Sequence, residues 1–373
     1  MRIGIPKETF TDEKRVAITP SGVDMLVKSG HTIFIESTAG DKCHFTDEDY
    51  RKVGANVVYT PDEVFQRSEL ISKVAPITEK ELEFLQEGQI VFSFLHLEVG
   101  QKKIIEKLIE KKVTAISYEL VERDGDLPVL QAMSEIAGQL AVEVGESYMA
   151  NAHENSRGIL MGGLTGVAGA AIVILGAGVV GLNAARAAIG RGAQVIVLDK
   201  DIRRLSRIEN LIAKGITTVV ANPYTIERSV KYADLLIAAV SMRGTKSAHI
   251  VTEEMVKSMK KGSVIVDVSI DQGGCVETSH PTSLTDPVYV KNNVIHYCVP
   301  NIPARVCRTA SFAITNVAVP YIENIANNGL SHALSSDEGL VKGVCVHNGT
   351  CSNKIIAESF GLEFRRLHLF STN

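Results

Sequence analysis

The chain has 373 residues, 45% of them hydrophobic and 22% charged, and this composition predicts a globular protein of two domains. The formal net charge of −4 and the lack of basic runs argue against binding of nucleic acid or of an anionic membrane surface. No apolar run is long enough to span a bilayer and no signal peptide precedes the first strand, so no membrane association and a cytoplasmic location are expected.

Strand-like apolar runs alternate with amphipathic segments over residues 1–120. The predicted strands are Arg2–Ile5, Thr32–Ile35, Leu70–Val74, Ile90–Leu95 and Val113–Tyr118, and the clearest helices between them are Pro61–Arg67 and Gln101–Lys112. This alternation predicts a parallel, doubly wound sheet. The Ala- and Gly-rich segment Ser134–Ala150 then predicts a long helix that starts at Ser134 and connects two domains.

A glycine-rich turn follows the next strand, Ala171–Leu175, with the sequence Gly176-Ala177-Gly178-Val179-Val180-Gly181. A small-residue helix comes after it, and then a strand that ends in Asp199. Strand, G-x-G-x-x-G turn, helix and acidic strand end together predict a dinucleotide site, with the pyrophosphate at the helix N-terminus. Asp199 is placed to bind the adenine ribose, and its negative charge favours NAD over NADP.

The same pattern continues beyond the turn. Further strands are predicted at Leu235–Val240 and Val264–Val268, with helices at Asp201–Lys214 and Thr252–Lys260. An apolar helix at Ser311–Asn327 is predicted to return the chain to the first domain, and the tail from Ser331 has mixed helical patterning. The fold class predicted is therefore α/β, with two doubly wound parallel-sheet domains: 1–128 plus 308–373, and 129–307.

The six cysteines form no C-x-x-C pair and show no zinc-like spacing with histidine, so no metal site is predicted. They are expected to be free thiols, most of them buried. Cys275 follows Gly273 and Gly274 and would be reactive only if it were exposed, and packing is the favoured interpretation.

Several polar residues fall near predicted strand ends or in loops, where ligands bind in open α/β sheets. These are Arg15, Lys73, His96, Ser134, Asp271 and Asn301. Taken singly, each also suits a structural or surface role. Together they match the oxidation of an amino acid, which requires a cation for the carboxylate and groups that move protons and direct water. Arginine binds carboxylates through two parallel hydrogen bonds, and histidine exchanges protons near neutral pH.

These residues and their flanking motifs resemble the alanine dehydrogenase/pyridine nucleotide transhydrogenase family. The resemblance covers residues 1–330. It is carried by Arg2–Glu8 with Arg15–Pro20, Phe92–Leu97, Met133–Gly138, Gly158–Gly166 and Asp267–Cys275. The Phe-Leu-His-Leu sequence around His96 is more similar to the dehydrogenase branch than to the soluble transhydrogenase component.

The resemblance implies two Rossmann-like domains with an interdomain cleft, a homohexamer, and reversible NAD-dependent conversion of L-alanine to pyruvate and ammonium. By resemblance, Arg15 would hold the substrate carboxylate, His96 would transfer protons and orient the keto oxygen, and Asp271 would handle water and ammonia. The implied cofactor contacts are Ser134, Asn301, Asp199 and the turn 176–181.

One motif departs from the family pattern. The dehydrogenases of the family usually carry Lys-Val-Lys-Glu-Pro, in which the second lysine is catalytic, whereas this chain reads Lys73-Val74-Ala75-Pro76. In an ungapped alignment Ala75 takes the place of that lysine, and in a shifted alignment Lys73 serves instead, as both a catalytic and a substrate-binding residue. The Met242-Arg243-Gly244 stretch also departs from the usual Val-Pro-Gly, and it suggests no role for Arg243.

Three alternative functions stay open on the sequence. The first is the soluble component of a proton-translocating transhydrogenase, and intact Arg15 and His96 argue against it. The second is a reductive-condensation enzyme of the saccharopine type, for which Ala75 leaves room. The third is a non-catalytic NAD-binding relative, which would bind NADH without turning over any amino acid.

Overall fold

In this computed structural model, residues 1–97, 100–212, 214–240 and 249–367 are described. The chain divides into two compact units, a first unit of Met1–Met133 with Ala304–Asn373 and a second unit of Ser134–Pro303. Each unit contains a mostly parallel sheet with flanking helices, so the α/β class predicted from the alternating pattern is confirmed.

Strands and helices alternate along most of the described chain. The strands are β1 (Arg2–Ile5), β2 (Thr32–Glu36), β3 (Asn56–Val58), β4 (Leu70–Ser72), β5 (Ile90–Ser93), β6 (Thr114–Ser117), β7 (Ala171–Leu175), β8 (Gln194–Asp199), β9 (Ile216–Val220), β10 (Leu235–Ala238), β11 (Val264–Asp267), β12 (Val288–Lys291), β13 (Val294–Tyr297), β14 (Val344–His347) and β15 (Thr350–Cys351). The helices are α1 (Pro20–Lys28), α2 (Asp47–Lys52), α3 (Pro61–Arg67), α4 (Glu79–Phe84), α5 (Lys102–Glu110), α6 (Pro128–Ala150), α7 (Val179–Gly190), α8 (Ile202–Ile212), α9 (Pro223–Tyr232), α10 (Glu253–Lys257), α11 (Cys307–Asn328), α12 (Leu330–Ser336), α13 (Glu338–Gly343) and α14 (Lys354–Phe360).

The sheet of the first unit has the strand order β15-β14-β6-β5-β4-β1-β2-β3. Strands β1 to β6 pair in parallel, while β14 and β15 are antiparallel additions at one edge. The register pairs Ser72 with Phe92 and Ser93 with Ser117, so β4, β5 and β6 end at the same edge. The loops that follow these three strands therefore lie side by side and carry the predicted substrate residues Lys73 and His96.

The sheet of the second unit has the order β12-β13-β11-β10-β7-β8-β9, parallel except for β12. Every residue of β7 is buried, as expected for a central parallel strand covered by helices on both faces. The chain order reverses at β7, with β8 on one side and β10 on the other. That is the switch point at which open α/β sheets bind ligands.

The structure corrects two sequence predictions about elements. Helix α6 starts at Pro128 and not at Ser134, because proline suits a first helical turn, where its missing N–H is not needed. The tail from Ser331 is not only helical, since β14 and β15 extend the first sheet. Their short apolar runs give no period long enough to be recognised in the sequence. Helix α11 returns the chain to the first unit, as predicted.

Across the described residues, no helix combines the length and the apolar character that crossing a bilayer requires.

Candidate active site and dinucleotide site

Arg15 is held rigidly in the first unit. Its side chain is 5% exposed, and its Nε and Nη2 donate to the Glu13 carboxylate over 2.8 and 2.5 Å. The third nitrogen, Nη1, lies 3.3 Å from the sulfur of Met133, and the guanidinium is 5.9 Å from the ring centre of Phe94. The Glu13 carboxylate accepts hydrogen bonds from Nε and Nη2. Nη1 has only the weak sulfur acceptor among these contacts, so it can donate to a substrate carboxylate.

His96 lies three residues after the end of β5, in a loop with an uncommon backbone conformation. Its φ is 46°, which costs a non-glycine residue about 1–3 kcal/mol, and its backbone N–H donates to Glu119 Oε1 over 2.6 Å. The side chain is 51% exposed, with Nδ1 3.7 Å from the same Glu119 oxygen. Its ring stacks on Phe94 with centroids 6.0 Å apart. Phe94 thus contacts both Arg15 and His96, and the structure brings these two predicted substrate residues together.

Lys73 follows β4 directly and is fully buried. Its ammonium donates to both Glu81 oxygens at 2.8 and 2.9 Å and to the Pro76 carbonyl at 3.1 Å, with Glu8 Oε2 3.6 Å away. Burial alone would lower the pKa of Lys73, but the carboxylates of Glu8 and Glu81 outweigh it, so the pKa is raised and the ammonium stays charged. All three N–H donors serve this cluster. Contact with substrate requires one of these bonds to open, and the substrate role of Lys73 stays a prediction.

Glu8 fixes the loop that follows Lys73. Its Oε1 accepts the backbone N–H groups of Val74 and Ala75 at 2.5 and 3.3 Å. Burial raises the pKa of Glu8 to about 7, although the nearby Lys73 ammonium opposes the rise. The Ala75 side chain is 7% exposed. The position where the family resemblance expects a lysine thus holds a small apolar side chain beside a buried carboxylate.

The carboxylates that hold these cations were not among the residues predicted from the sequence. A signal existed for Glu81, because Thr78-x-x-Glu81 has the spacing of a capping box and forms one at the start of α4. Glu13 and Glu119 gave no comparable signal. Glu119 lies 23 residues from His96, and the two meet only because β5 and β6 are neighbours in the sheet.

The glycine-rich turn of the second unit has the predicted strand–turn–helix form. Gly176 has a φ of 102°, and a Cβ there would lie 2.4 Å from the Ala239 carbonyl oxygen. A Cβ on Gly181 would lie 1.9 Å from the Gly176 carbonyl oxygen, whereas one on Gly178 would meet nothing within 4 Å. Gly176 and Gly181 therefore permit close packing, while Gly178 leaves open space in front of the turn.

Helix α7 starts just after this open space, and no side chain caps its N-terminus. The first backbone N–H groups of a helix have no partner within the helix and attract anions. Val179 and Val180, the first two residues of the helix, bring such groups to the turn, while Ala177 lies between the first two glycines and donates its N–H to Asp199. An uncapped helix start beside a glycine without a Cβ fits a pyrophosphate, and this fit supports the predicted dinucleotide site.

Asp199 ends β8 and is 8% exposed. One carboxylate oxygen accepts the Ala177 N–H at 2.8 Å, and the other accepts the Asp201 N–H at 2.9 Å. Arg204 lies 3.9 Å away and is 60% exposed. Asp199 is therefore fixed against the glycine turn, where its remaining acceptor capacity suits ribose hydroxyls.

Three other predicted residues belong to the second unit. Asp271 lies in the short helical turn Ile270–Gln272 after β11, and its Oδ1 accepts the Asn301 N–H at 3.2 Å. Asn301 has a φ of 53°, so this bond joins two irregular loops and brings Asp271 and Asn301 together. Ser134 is half-buried in the second turn of α6, and its cofactor contact stays a prediction.

The cysteines are free thiols, as predicted, and Cys275 is fully buried. Burial raises the pKa of the Cys275 thiol to about 12, so packing and not reactivity describes this residue. In the described ranges, no group of three or more His, Cys, Asp or Glu side chains is arranged to hold a metal ion. The Met242-Arg243-Gly244 stretch lies outside the described residues.

Comparisons with known proteins agree with this geometry. The family description "Alanine dehydrogenase/PNT, N-terminal domain" matches residues 4–137, and "Alanine dehydrogenase/PNT, C-terminal domain" matches residues 141–354. An alanine dehydrogenase of Methanococcus maripaludis is 44% identical over 366 residues, which cover 98% of each chain. An alanine dehydrogenase of Staphylococcus haemolyticus is 41% identical over 366 residues, 98% of this chain and 97% of the relative.

Solved structures give the same result. A structure described as L-alanine dehydrogenase superposes with a TM-score of 0.92 at 42% identity, covering 97% of this chain and 99% of the other. A transhydrogenase from Sinorhizobium meliloti has a TM-score of 0.80 at 23% identity, over 95% and 99% of the two chains, and it shares the fold.

Proposed function

The chain belongs to the alanine dehydrogenase/PNT family, and on this premise we propose that it converts L-alanine, water and NAD⁺ reversibly to pyruvate, ammonium, NADH and a proton. The observation that carries the proposal is the contact that Arg15 and His96 both make with the ring of Phe94. A fixed carboxylate-binding cation beside a half-exposed imidazole is what the oxidation of a small amino acid needs.

The dinucleotide is NAD in this proposal. The space at Gly178, the uncapped start of α7 and the carboxylate of Asp199 fit its pyrophosphate and adenine ribose. A 2′-phosphate would meet the negative charge of Asp199, which favours NAD over NADP. When bound, the nicotinamide supplies the hydride acceptor. Ser134 and Asn301 are proposed to contact the same cofactor.

The substrate carboxylate binds to Arg15, whose geometry is already set by Glu13, so little orientation has to be acquired on binding. His96 accepts a proton from the substrate amine and, in the reverse direction, donates to the keto oxygen. Asp271 orients the water that attacks the imine carbon after hydride has left Cα. Asp271 takes one proton of this water and later releases it to solvent. The carbinolamine so formed regains a proton on nitrogen from His96, ammonia leaves, and the hydroxyl proton lost as the keto group forms converts it to ammonium.

Lys73 contributes in one of two ways, which differ in whether its pair with Glu81 opens. With the pair closed, its single charge offsets part of the charge of Glu81 and Glu8, and its bond to the Pro76 carbonyl holds the loop that contains Ala75. With the pair open, the ammonium contacts substrate as a catalytic lysine. The closed arrangement is the one in the structure, and variants at Lys73 separate the two.

We also propose that the protein is cytoplasmic and assembles as a homohexamer. Both proposals are supported only by the family resemblance. Size-exclusion chromatography with light scattering measures the assembly directly, and a monomer or dimer would contradict the hexamer.

The proposed function is tested by NADH formation with purified protein, L-alanine and NAD, and by NADH consumption with pyruvate and ammonium. NADP and a panel of small amino acids serve as controls. Turnover in both directions that depends on alanine and NAD supports the proposal. A product heavier than alanine would indicate reductive condensation, and NADH binding without turnover would indicate a non-catalytic relative.

A further inference from the structure

Glu119 contacts His96 in two ways. It follows β6 at the edge of the sheet where His96 follows β5, and the register pairs Ser93 with Ser117. Its Oε1 accepts the His96 backbone N–H over 2.6 Å and lies 3.7 Å from His96 Nδ1. Its Oε2 is buried and has no hydrogen-bond partner among the described residues.

These contacts restrain both the backbone and the ring of His96. The short hydrogen bond that the His96 N–H donates to the Glu119 carboxylate stabilises the left-handed conformation at φ 46°, which is uncommon for non-glycine residues. The same oxygen lies on the Nδ1 side of the imidazole. Because the two ring nitrogens lie at different edges of the ring, Nε2 is the nitrogen that faces away from Glu119.

We propose that Glu119 is a positioning residue for His96. The Glu119 carboxylate orients the imidazole so that Nε2 faces the substrate, and it stabilises the imidazolium that forms when the ring takes up a proton. Glu119 itself contacts no substrate. This inference rests on the proposed function, because it gives His96 the part of proton carrier. In other enzymes a carboxylate beside Nδ1 orients an imidazole whose Nε2 transfers the proton.

A double-mutant cycle tests this role. In Glu119→Gln the amide oxygen still accepts the backbone N–H, but the charge facing Nδ1 is lost. We expect kcat to fall by about 10- to 100-fold while KM for alanine changes little, since Arg15 still binds the carboxylate. In the His96→Gln background the same substitution should change kcat by less than about twofold, because its effect acts through the imidazole.

Glu122→Gln is the matched control. Glu122 lies in the same loop and pairs with Lys342 at the surface. We expect wild-type kcat for this variant. Equal losses from Glu119→Gln in the wild-type and His96→Gln backgrounds would overturn the proposal, because they would indicate a general structural effect.

A second readout does not depend on turnover. In a crystal structure of the Glu119→Ala protein we expect the His96 backbone to leave the left-handed region and its ring to move from Phe94. An unchanged His96 would overturn the positioning role. Absence of alanine turnover in the wild-type protein would instead contradict the proposed function, and this structural test would still give its own answer.

Discussion

Replacement of Lys73 by methionine distinguishes a buried structural lysine from a catalytic one. Methionine keeps most of the side-chain volume and removes the ammonium that lies 2.8 and 2.9 Å from the Glu81 oxygens and 3.6 Å from Glu8. The variant leaves two buried carboxylates without a counter-charge. Breaking a buried pair in this way costs about 3–5 kcal/mol. For a unit of this size the melting temperature should fall by roughly 6–20 °C.

The assay is thermal unfolding at fixed protein concentration, together with alanine turnover on the protein that remains folded. Lys103→Met is the matched control. Lys103 pairs with Glu79, which lies on the same helix as Glu81, but both members of this pair are exposed. Its loss should cost less than about 1 kcal/mol. A double variant of Lys73→Met with Glu81→Gln should recover part of the stability, because one unpaired charge is removed.

Unfolding of Lys73→Met at the same temperature as Lys103→Met would contradict a stabilising role for the buried Lys73 ammonium. If Lys73→Met is stable and its turnover falls by roughly a hundredfold or more, Lys73 reaches the substrate and acts as the lysine that the family resemblance expects. If it is destabilised but its folded fraction turns over normally, Lys73 serves the fold alone.

Three other predictions use different parts of the structure. Gly178→Ala should unfold at the wild-type temperature but bind NADH roughly 10- to 100-fold more weakly in a fluorescence titration. Gly181→Ala should lose both NADH affinity and thermal stability, because its Cβ would lie 1.9 Å from a carbonyl oxygen. Asp199→Asn should lower the ratio of NAD to NADP turnover by about tenfold or more in steady-state kinetics, since the charge that repels a 2′-phosphate is gone; an unchanged ratio would contradict this. Burial raises the pKa of Glu8 from 4.5 to about 7, so ionisation of Glu8 destabilises the folded state as the pH rises through this range. Between these pH values the free energy of unfolding, measured by urea titration, should fall by on the order of 3 kcal/mol more in the wild type than in Glu8→Gln. Parallel pH profiles of the two proteins would contradict this.

The sequence was sufficient for those parts of the fold whose signals are local. The apolar run of β7, the glycine turn and the acidic end of β8 are neighbours in the chain, so their order predicts the dinucleotide half of the site. The edge strands β14 and β15 were missed, because they are short and owe their structure to pairing with β6.

The surroundings of the candidate catalytic residues could not be predicted in the same way. Arg15 and His96 are recognisable by their motifs, but their common contact with Phe94 depends on how the loops fold together. Lys73 was expected to face substrate because it follows a strand end. The structure pairs it with Glu81, which lies only 8 residues further along the chain, and places Glu8 from the segment after β1 3.6 Å away. The contact of Lys73 with substrate stays a prediction.

In the proposed reaction, hydride passes from Cα of L-alanine to NAD while Arg15 and His96 hold the substrate. The most direct test is turnover of alanine deuterated at Cα, with mass spectrometry of both products. We expect one deuterium in NADH, unlabelled pyruvate in equal amount, and a transfer slowed by about a hundredfold or more, yet still measurable, in a folded His96→Gln variant that still binds NADH. Deuterium absent from NADH, or a product other than pyruvate, would contradict it.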